Sequence, residues 1–506
     1  MSPPGAGRDR RPVPLDDLGR VHLVGVGGAG MSVVARLLAA RGLPVQGSDA
    51  VEGPALAALR SDGVRVWVGH DAAHVLAADG SASVDTVVVS SAVRESNPEL
   101  AAARTAGLRV LHRSEALASL MADRRAVAVA GAHGKTTTSA MVAVVLRAGG
   151  MDPSFAIGGT VRVRAEGGEH AVPGGHAGTS DVLVAEADES DGSFLNYAPT
   201  VAVVTNVEAD HLDHYGSQAA FEQAFVDFAA QITSDGWLVA CADDPGSARL
   251  AATHRAAGRR VVTYGTSDGA DVAVRDVVVG AGTVRAAVHG GPLGPAPLAL
   301  DLQVPGAHNA LNATAAVVAA TLLGVSAVDA VRGAAGFVGT GRRFEPRGAA
   351  DGVRVFDSYD HHPTEIEALL RAARPVAGAG RVIVLFQPHL YSRTQAFADR
   401  FAQALALADE VVVTGVYRAR EDHDPAVTAR TITDLSRGTI SGGSLRPVED
   451  RLAAARAAAG LARPGDVLLT VGAGDVTELG GVILDHLARR HGVAGSDTAA
   501  DGATMG

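Results

Sequence analysis

The chain of 506 residues is too long for one hydrophobic core, so two to four domains are expected. Its formal net charge of -11 argues against a nucleic-acid-binding protein, because such proteins usually present a basic face. The single cysteine, Cys241, excludes a disulfide framework within the chain, and no apolar run is long enough for a membrane-spanning helix. These features predict a cytoplasmic protein without membrane insertion.

Short apolar segments alternate with Ala-rich helical segments, which predicts an α/β fold with mostly parallel sheets. The segments predicted as buried strands are, in chain order, Val21–Val24, Val87–Val89, Val127–Ala130, Val182–Ala185, Val201–Thr205, Val353–Phe356, Val382–Phe386, Val411–Thr414 and Val467–Val471. Residues 262–304 alternate in polarity and predict a small antiparallel addition, whereas the Gly-rich segment 165–180 predicts a loop.

The pattern divides the chain into three predicted domains and a tail. Residues 1–120 begin with a dinucleotide-type turn and predict a Rossmann-like domain. Residues 121–335 begin with a phosphate-binding loop, and residues 336–491 form a further α/β domain. The segment 492–506 is small and polar and predicts a disordered tail.

A glycine-rich turn follows the first predicted strand. The segment Gly25–Gly30 matches G-x-G-x-x-G, and Asp49 follows at the distance expected of a dinucleotide site. The same turn can hold any diphosphate, so both NAD and a uridine diphosphate-sugar fit it, and a tight turn without a ligand is the alternative. The candidate substrate-binding residues are Gly25, Gly27, Gly28, Gly30, Ser48 and Asp49.

The only lysine of the chain, Lys135, lies in a second glycine-rich loop between a predicted strand and a predicted helix. Backbone N–H groups at such a helix N-terminus bind phosphate oxygens, and a lysine there reaches the β- and γ-phosphates of a nucleotide. The loop is shorter than the usual phosphate loop, because Val129 occupies the position of the usual first glycine. The candidate ATP-binding residues are Gly131, His133, Gly134, Lys135, Thr136 and Thr137.

Two acidic segments each follow a predicted buried strand. Glu186–Phe194 carries four acidic residues, and Thr205–Asp213 contains His211. Acidic side chains at strand carboxyl ends, in a sheet that also carries a phosphate loop, suit Mg²⁺. A solvated acidic turn is the alternative for the first segment. His211 fits a metal ligand, a general base or a turn histidine equally well.

Further polar clusters occur later in the chain. Asn309 and Asn312 lie three residues apart at the start of a predicted helix, so they share one face, and an asparagine amide can pair with the edge of adenine. The last domain offers cationic and imidazole groups at strand carboxyl ends, which would suit a carboxylate or a transferring phosphate. The cationic and imidazole candidates are Arg342, Arg343, His361 and Arg393, and Asp357 and Tyr359 are candidates from the same polar clusters.

The order of these motifs resembles the Mur ligases of peptidoglycan synthesis over roughly residues 20 to 490. The resemblance implies a UDP-sugar-binding first domain, a central ATPase domain and an amino-acid-binding third domain. It also implies ATP-dependent ligation of L-alanine to the lactyl carboxylate of UDP-N-acetylmuramate, through an acyl phosphate, in cell wall biogenesis. The alternative is another family member that adds a different residue or a recycled peptide. Monomers or weak homodimers are expected.

The resemblance also implies residue roles. Thr136 and Glu186 would be ligands of a first Mg²⁺ and His211 of a second. His308, Asn309, Asn312 and Asp357 would join the ATP site. The catalytic candidates are Lys135, His211, Arg342, Arg343 and His361, and Tyr359, His361 and Arg393 would surround alanine.

Two positions depart from the family pattern, because Ser358 replaces a common aspartate and Leu390 replaces a frequent arginine. The branches that add later residues typically need a second, carbamylated lysine, which this chain lacks.

Overall fold

The computed structural model describes residues 12–165, 167–419, 421–436 and 445–493. The predicted disordered tail lies outside these residues from position 494 onward. The described residues form two compact units. The first runs to Asp276 and also contains Ala286–Asp301 and Leu311–Val338, and the second contains Val277–Arg285, Leu302–Ala310 and the described residues from Gly339 onward.

The first unit begins with a five-stranded sheet in the order β3-β2-β1-β4-β5, in which all neighbours are parallel. Its strand order and the helices between the strands are those of a Rossmann-like domain. The elements are β1 Val21–Val24, α1 Ala29–Ala40, β2 Val45–Asp49, α2 Pro54–Ser61, β3 Arg65–Val68, β4 Thr86–Val89, α3 Pro98–Thr105, β5 Arg109–His112 and α4 Arg113–Met121.

The middle of the chain forms a ten-stranded sheet in the order β10-β7-β11-β6-β12-β13-β14-β15-β16-β17, and a small sheet in the order β18-β8-β9. The elements are β6 Arg125–Ala130, α5 Lys135–Ala148, β7 Ser154–Ala156, β8 Val161–Ala165, β9 Gly168–Val172, β10 Gly175–His176, β11 Val182–Glu186, β12 Val201–Val204, α6 Leu212–Tyr215, α7 Gln218–Ala230, β13 Trp237–Cys241, α8 Pro245–Ala256, β14 Val261–Gly265, β15 Val272–Val279, β16 Val284–Gly290, β17 Leu298–Leu302, α9 His308–Leu322, α10 Ala327–Ala334 and β18 Phe337–Thr340.

The second unit contains a six-stranded sheet in the order β19-β20-β24-β21-β22-β23, parallel except for the edge pair β19–β20. Apolar clusters cover both of its faces. The elements are β19 Glu345–Ala350, β20 Val353–Ser358, α11 Pro363–Ala377, β21 Val382–Phe386, α12 Tyr391–Ala396, α13 Ala398–Leu405, β22 Glu410–Val413, α14 Arg430–Thr433, β23 Leu445–Pro447, α15 Arg451–Leu461, β24 Val467–Val471 and α16 Leu479–Val493.

Each predicted buried strand is present in the structure. These strands could be predicted because runs of Val, Ala and Leu are typical of parallel strands that helices cover on both faces. The prediction of a loop over residues 165–180 is wrong, since β9 and β10 lie within it. Four of the five residues of β9 are exposed, so the strand lacks the alternation of polarity that marks a half-buried strand. Among the described residues, no helix is both long and apolar enough to cross a membrane.

Candidate active site

The phosphate loop joins β6 to α5 in the first unit. Gly134 immediately precedes α5 and has φ +82°, a left-handed conformation that favours glycine. The backbone around His133 is fixed by Asn206, whose Oδ1 accepts from His133 N at 2.9 Å and whose Nδ2 donates to His133 O at 3.0 Å. The Asn206 side chain therefore fixes the backbone of the loop just before the N-terminus of α5.

The ammonium of Lys135 lies folded against this loop. Its Nζ donates to the carbonyl oxygens of Gly131 and Ala132 at 2.7 and 3.3 Å. It also forms an ion pair with Glu189, with Nζ to Oε2 at 2.8 Å, and the Glu189 side chain is fully buried. Lys135 thus occupies the centre of the loop, where the phosphates of a nucleotide would compete with loop carbonyls and Glu189 for its protons.

Burial and charge act together on this pair. Burial raises the pKa of the Glu189 carboxyl to about 7, against the attraction of Lys135. Burial alone would lower the pKa of Lys135, but the carboxylates of Glu189 and Asp188 outweigh it and raise the pKa of the ammonium. Lys135 therefore stays a cation at neutral pH.

The predicted metal ligands lie in the same region. Thr136 Oγ1 donates to Glu186 Oε1 at 2.8 Å, and Glu186 Oε2 accepts from Gly158 N at 2.8 Å. His211 has φ +53°, and its Nε2 lies 3.8 Å from Glu189 Oε1. The structure brings Thr136 and Glu186 into direct contact, and places His211 beside the Lys135–Glu189 pair. Thr137 follows in the first turn of α5 and is half-buried.

The adenine candidates begin α9. In the first unit, Asn312 lies over the phosphate loop, since a Cβ on Gly134 would come within 3.0 Å of Asn312 Oδ1. In the second unit, Asn309 Nδ2 donates to Pro305 O at 2.7 Å, and His308 is exposed at the start of the helix.

The turn Gly25–Gly30 is fixed by the end of β2. The N–H groups of Gly25 and Val26 both donate to Ser48 O at 2.8 Å, and Gly27 N donates to Asp49 Oδ2 at 2.8 Å. Asp49 therefore shapes the turn in this structure. Gly28 precedes α1, and Gly30 lies in its first turn.

Arg113 is a cation that the sequence analysis did not single out. A side chain at Gly30 would collide with Arg113 Nη1, so the guanidinium lies directly over the start of α1. A helix N-terminus with an arginine beside it is a favourable place for a diphosphate. The signal available in the sequence was an arginine directly after a strand end.

A buried polar cluster supports Ser48 from behind the turn. Glu99 is fully buried and accepts from Ser48 Oγ at 2.6 Å. Its carboxyl oxygens also contact His74 Nδ1 at 2.6 Å and His70 Nδ1 at 3.0 Å. Burial opposes ionisation of Glu99, yet hydrogen bonds from His22, Ser48 and His74 lower its pKa to about 2.

We predict that Glu99→Gln lowers the free energy of unfolding at pH 7 by about 2 kcal/mol, because it leaves this cluster without its anion. The pKa of Glu99 is lowered in the folded state, so its stabilisation is present above the unfolded pKa and is lost as pH falls from about 5 to about 2. Urea unfolding at a series of pH values should therefore show that the free energy of unfolding falls less steeply with decreasing pH in the variant than in wild type. Glu52→Gln, at an exposed ion pair, is the control that should leave the curve in place. If the free energy of unfolding depended equally on pH in Glu99→Gln and wild type, Glu99 would not be the anion that stabilises this cluster.

In the second unit, Arg342 and Asp357 form a buried ion pair. Arg342 Nε lies 3.0 Å from Asp357 Oδ2, and Arg342 Nη2 donates to Gly472 O at 2.7 Å. Asp357 is fully buried and also accepts from Thr470 Oγ1 and Thr477 Oγ1. Arg342 and Asp357 therefore join the ends of β20 and β24 to the segment before β19.

The remaining candidates of this unit surround Tyr359. The guanidinium groups of Arg342 and Arg343 lie 4.8 and 5.0 Å from the centre of its ring. His361 Nδ1 is 3.1 Å from Tyr359 O, and Arg393 is buried in α12. At the position where the family often has aspartate, Ser358 Oγ donates to Asp360 Oδ2, so a carboxylate still lies beside that position.

Three models of one family match successive parts of the chain. They are the Mur ligase family catalytic domain over residues 20–125, the Mur ligase middle domain over 129–320 and the Mur ligase glutamate ligase domain over 342–474. The chain belongs to the Mur ligase family. It is accordingly an ATP-dependent ligase with the three α/β domains of that family.

Individual Mur ligases resemble the chain over almost its whole length. It is 58% identical to a UDP-N-acetylmuramate–L-alanine ligase of Kineococcus radiotolerans, over 94% of this chain and 97% of that protein. A ligase of the same name from Renibacterium salmoninarum is 53% identical over the same shares. Among solved structures, a UDP-N-acetylmuramate–alanine ligase of Thermotoga maritima gives a TM-score of 0.71 at 30% identity, covering 94% of this chain and 99% of that one.

Proposed function

We propose that the chain joins L-alanine to the lactyl carboxylate of UDP-N-acetylmuramate, with ATP converted to ADP and phosphate. The carboxylate oxygen attacks the γ-phosphorus of ATP, and ADP leaves. The alanine nitrogen then attacks the acyl carbon, loses a proton, and phosphate leaves with the acyl C–O bond broken. The product is UDP-N-acetylmuramoyl-L-alanine, a cytoplasmic peptidoglycan precursor.

The observation that carries the proposal is the likeness, over 94% of the chain, to relatives that are named UDP-N-acetylmuramate–L-alanine ligase. The lysine content favours the same branch of the family. Lys135 is the only lysine, and it is already engaged at the phosphate loop. No lysine is left for carbamylation, which the branches adding later residues typically need.

In this proposal the ammonium of Lys135 stabilises negative charge during phosphoryl transfer. When ATP binds, its ammonium exchanges the carbonyl of Gly131 for phosphate oxygens and stabilises the charge that develops on the γ-phosphoryl group. The N-terminus of α5 and its left-handed Gly134 leave backbone N–H groups for the same phosphates. Asn312, which lies over Gly134, is placed for the nucleotide base or sugar.

Mg²⁺ fits the residues that surround this loop. Thr136 Oγ1 and Glu186 Oε1 are 2.8 Å apart and supply the hydroxyl and carboxylate oxygens that Mg²⁺ prefers. His211, which lies beside Glu189, would hold a second ion, whereas Thr136 and Glu186 would hold the first ion at this loop. When bound, it would neutralise negative charge on the phosphates.

The other site residues divide by substrate. The turn with Gly25, Gly27, Gly28 and Gly30 would hold the diphosphate of the sugar nucleotide, with Arg113 beside it. In the second unit, Tyr359, His361 and Arg393 would bind alanine and the acyl group. Arg343 would assist in stabilising phosphoryl charge. We propose a monomer or weak homodimer as the working form.

A phosphate-release assay tests the function. Purified protein is mixed with ATP, Mg²⁺ and UDP-N-acetylmuramate, and single acceptors are added. We expect release with L-alanine and none with D-glutamate or with a peptide that begins with L-alanine. Phosphate release with the peptide but not with L-alanine would favour the alternative of a ligase that adds a recycled peptide. No phosphate release with any acceptor would overturn the proposal.

A further inference from the structure

Two side chains, from Asp191 in the acidic segment and from Asn196 just after it, reach across the first unit to the Rossmann-like domain. Ser91 Oγ donates to Asp191 Oδ2 at 2.6 Å, and Asn196 Nδ2 donates to Ser114 Oγ at 2.8 Å. Ser91 follows the end of β4, and Ser114 lies in the first turn of α4. Asp191 and Asn196 stand at the two ends of one short turn, so that turn is fastened to the neighbouring domain twice.

His112 connects these two contacts. Its Nδ1 accepts from Ser114 N at 3.3 Å and lies 2.8 Å from Ser114 Oγ, while its Nε2 lies 3.2 Å from Ser91 Oγ. A backbone N–H can only donate, so Nδ1 is unprotonated and the ring hydrogen is on Nε2. Burial lowers the pKa of His112, which favours this neutral form.

With this tautomer, each hydrogen bond in the chain from Asn196 to Asp191 has one donor and one acceptor. Asn196 donates to Ser114, Ser114 to His112, His112 to Ser91, and Ser91 to the carboxylate of Asp191. We call these five residues the relay. The carboxylate at its end is held as an anion, because hydrogen bonds from Ser193 and Ser91 outweigh burial and lower the pKa of Asp191.

The segment that the relay fastens is the one that serves the phosphate loop. Five residues before Asp191, Glu186 contacts Thr136, and two residues before it, Glu189 pairs with Lys135. On the other side, β4 is the neighbour of β1, which leads directly into the turn Gly25–Gly30. The relay is thus a direct hydrogen-bonded link between the edges that carry the two nucleotide sites.

We propose that the relay positions the acidic segment against the end of β4, and so sets where the acceptor carboxylate of the sugar nucleotide meets the phosphate loop. Its members are positioning residues. The bonds of the relay do not reach Lys135 and Thr136, which contact Glu189 and Glu186, so we expect the relay to affect ATP binding less than it affects the acceptor. This inference rests on the proposed function for the identity of the acceptor.

The test uses Ser91→Ala, Asp191→Asn and the double variant, with Ser91→Thr as the variant that keeps the hydroxyl. Ser91 is exposed, so its replacement leaves the core unchanged. Ser61→Ala is the control, because Ser61 is an exposed serine of the same domain whose hydroxyl bonds only within its own helix. Initial rates are measured while ATP and UDP-N-acetylmuramate are varied separately.

We expect kcat/KM for UDP-N-acetylmuramate to fall about tenfold in Ser91→Ala and in Asp191→Asn. It should fall no further in the double variant, because both changes act on the same charge-assisted hydrogen bond. KM for ATP should stay within about twofold of wild type, and Ser91→Thr should restore the rate. Additive losses, a loss confined to ATP, or failure of the threonine variant would overturn the relay.

A second measurement needs no substrate. Hydrogen–deuterium exchange over residues 186–196 should be faster in Ser91→Ala than in wild type, and unchanged in Ser61→Ala. Unchanged exchange in Ser91→Ala would overturn the relay. Wild-type turnover with L-alanine decides the proposed function separately, so the two inferences can fail independently.

Discussion

Replacing Lys135 with methionine is expected to abolish turnover, with a fall in kcat of at least about a thousandfold, because the phosphate loop loses its only lysine. The same change should lower the free energy of unfolding by about 3 kcal/mol. Glu189 is fully buried, and without Lys135 it would lose the ion pair that favours its charged form and would take up a proton at neutral pH. Phosphate release and urea unfolding measure the two effects.

The double variant Lys135→Met with Glu189→Gln separates these effects. Removing both charges of a buried pair is often close to neutral, so the double variant should regain most of the lost stability and none of the activity. Glu189→Gln alone should keep the fold and weaken turnover, since Lys135 loses the carboxylate that orients it. Recovery of activity in the double variant, or near-normal turnover in Lys135→Met, would remove Lys135 from the ATP site.

Asp357→Ala is expected to destabilise the second unit by about 3–5 kcal/mol, which is the largest stability effect we predict. The buried carboxylate of Asp357 accepts from Arg342, Thr470 and Thr477, and the variant would remove all three of these hydrogen bonds together. Asp399→Ala is the control, because Asp399 is an exposed acidic residue of the same unit. Thermal unfolding followed by circular dichroism measures the difference.

Arg343→Ala gives a second comparison for this unit. Arg343 faces Tyr359 and lies 3.8 Å from Asp360, without the buried carboxylate that Arg342 has. Its loss should therefore reduce turnover more than stability, whereas Arg342→Ala should reduce both. An Asp357→Ala variant as stable as wild type would show that the pair contributes little to this fold.

The sequence predicts the strands well because they are runs of apolar residues that are buried on both faces. It also predicts that Lys135, Glu186 and His211 share one edge of the sheet, since Glu186 ends such a strand, Lys135 and His211 follow such strands, and parallel strands bring their carboxyl ends to one edge. The structure brings Thr136 into contact with Glu186, and their role as Mg²⁺ ligands stays a prediction. Local pattern and strand direction together were sufficient for these residues.

The pairings between distant residues were not predictable in this way. Glu189 pairs with Lys135 across 54 positions, and Ser91 bonds Asp191 across 100. Nothing in the neighbouring sequence distinguishes a buried glutamate from an exposed one within an acidic segment. Asp49 matched the spacing of a ribose-binding acid, yet it accepts from Gly27 N, because spacing along a chain does not specify where a carboxylate points.

Lys135 has a chemical consequence beyond its charge. It is the only side chain of the 506-residue protein with a primary amine, so an acylating reagent has a single side-chain target. Amines react only when deprotonated, and the carboxylates around Lys135 raise its pKa while the loop leaves 14% of the side chain exposed. Modification of this side chain therefore requires the Lys135–Glu189 pair to open, and the label found on the peptide that contains Lys135 measures those openings separately from the labelled N-terminal amine.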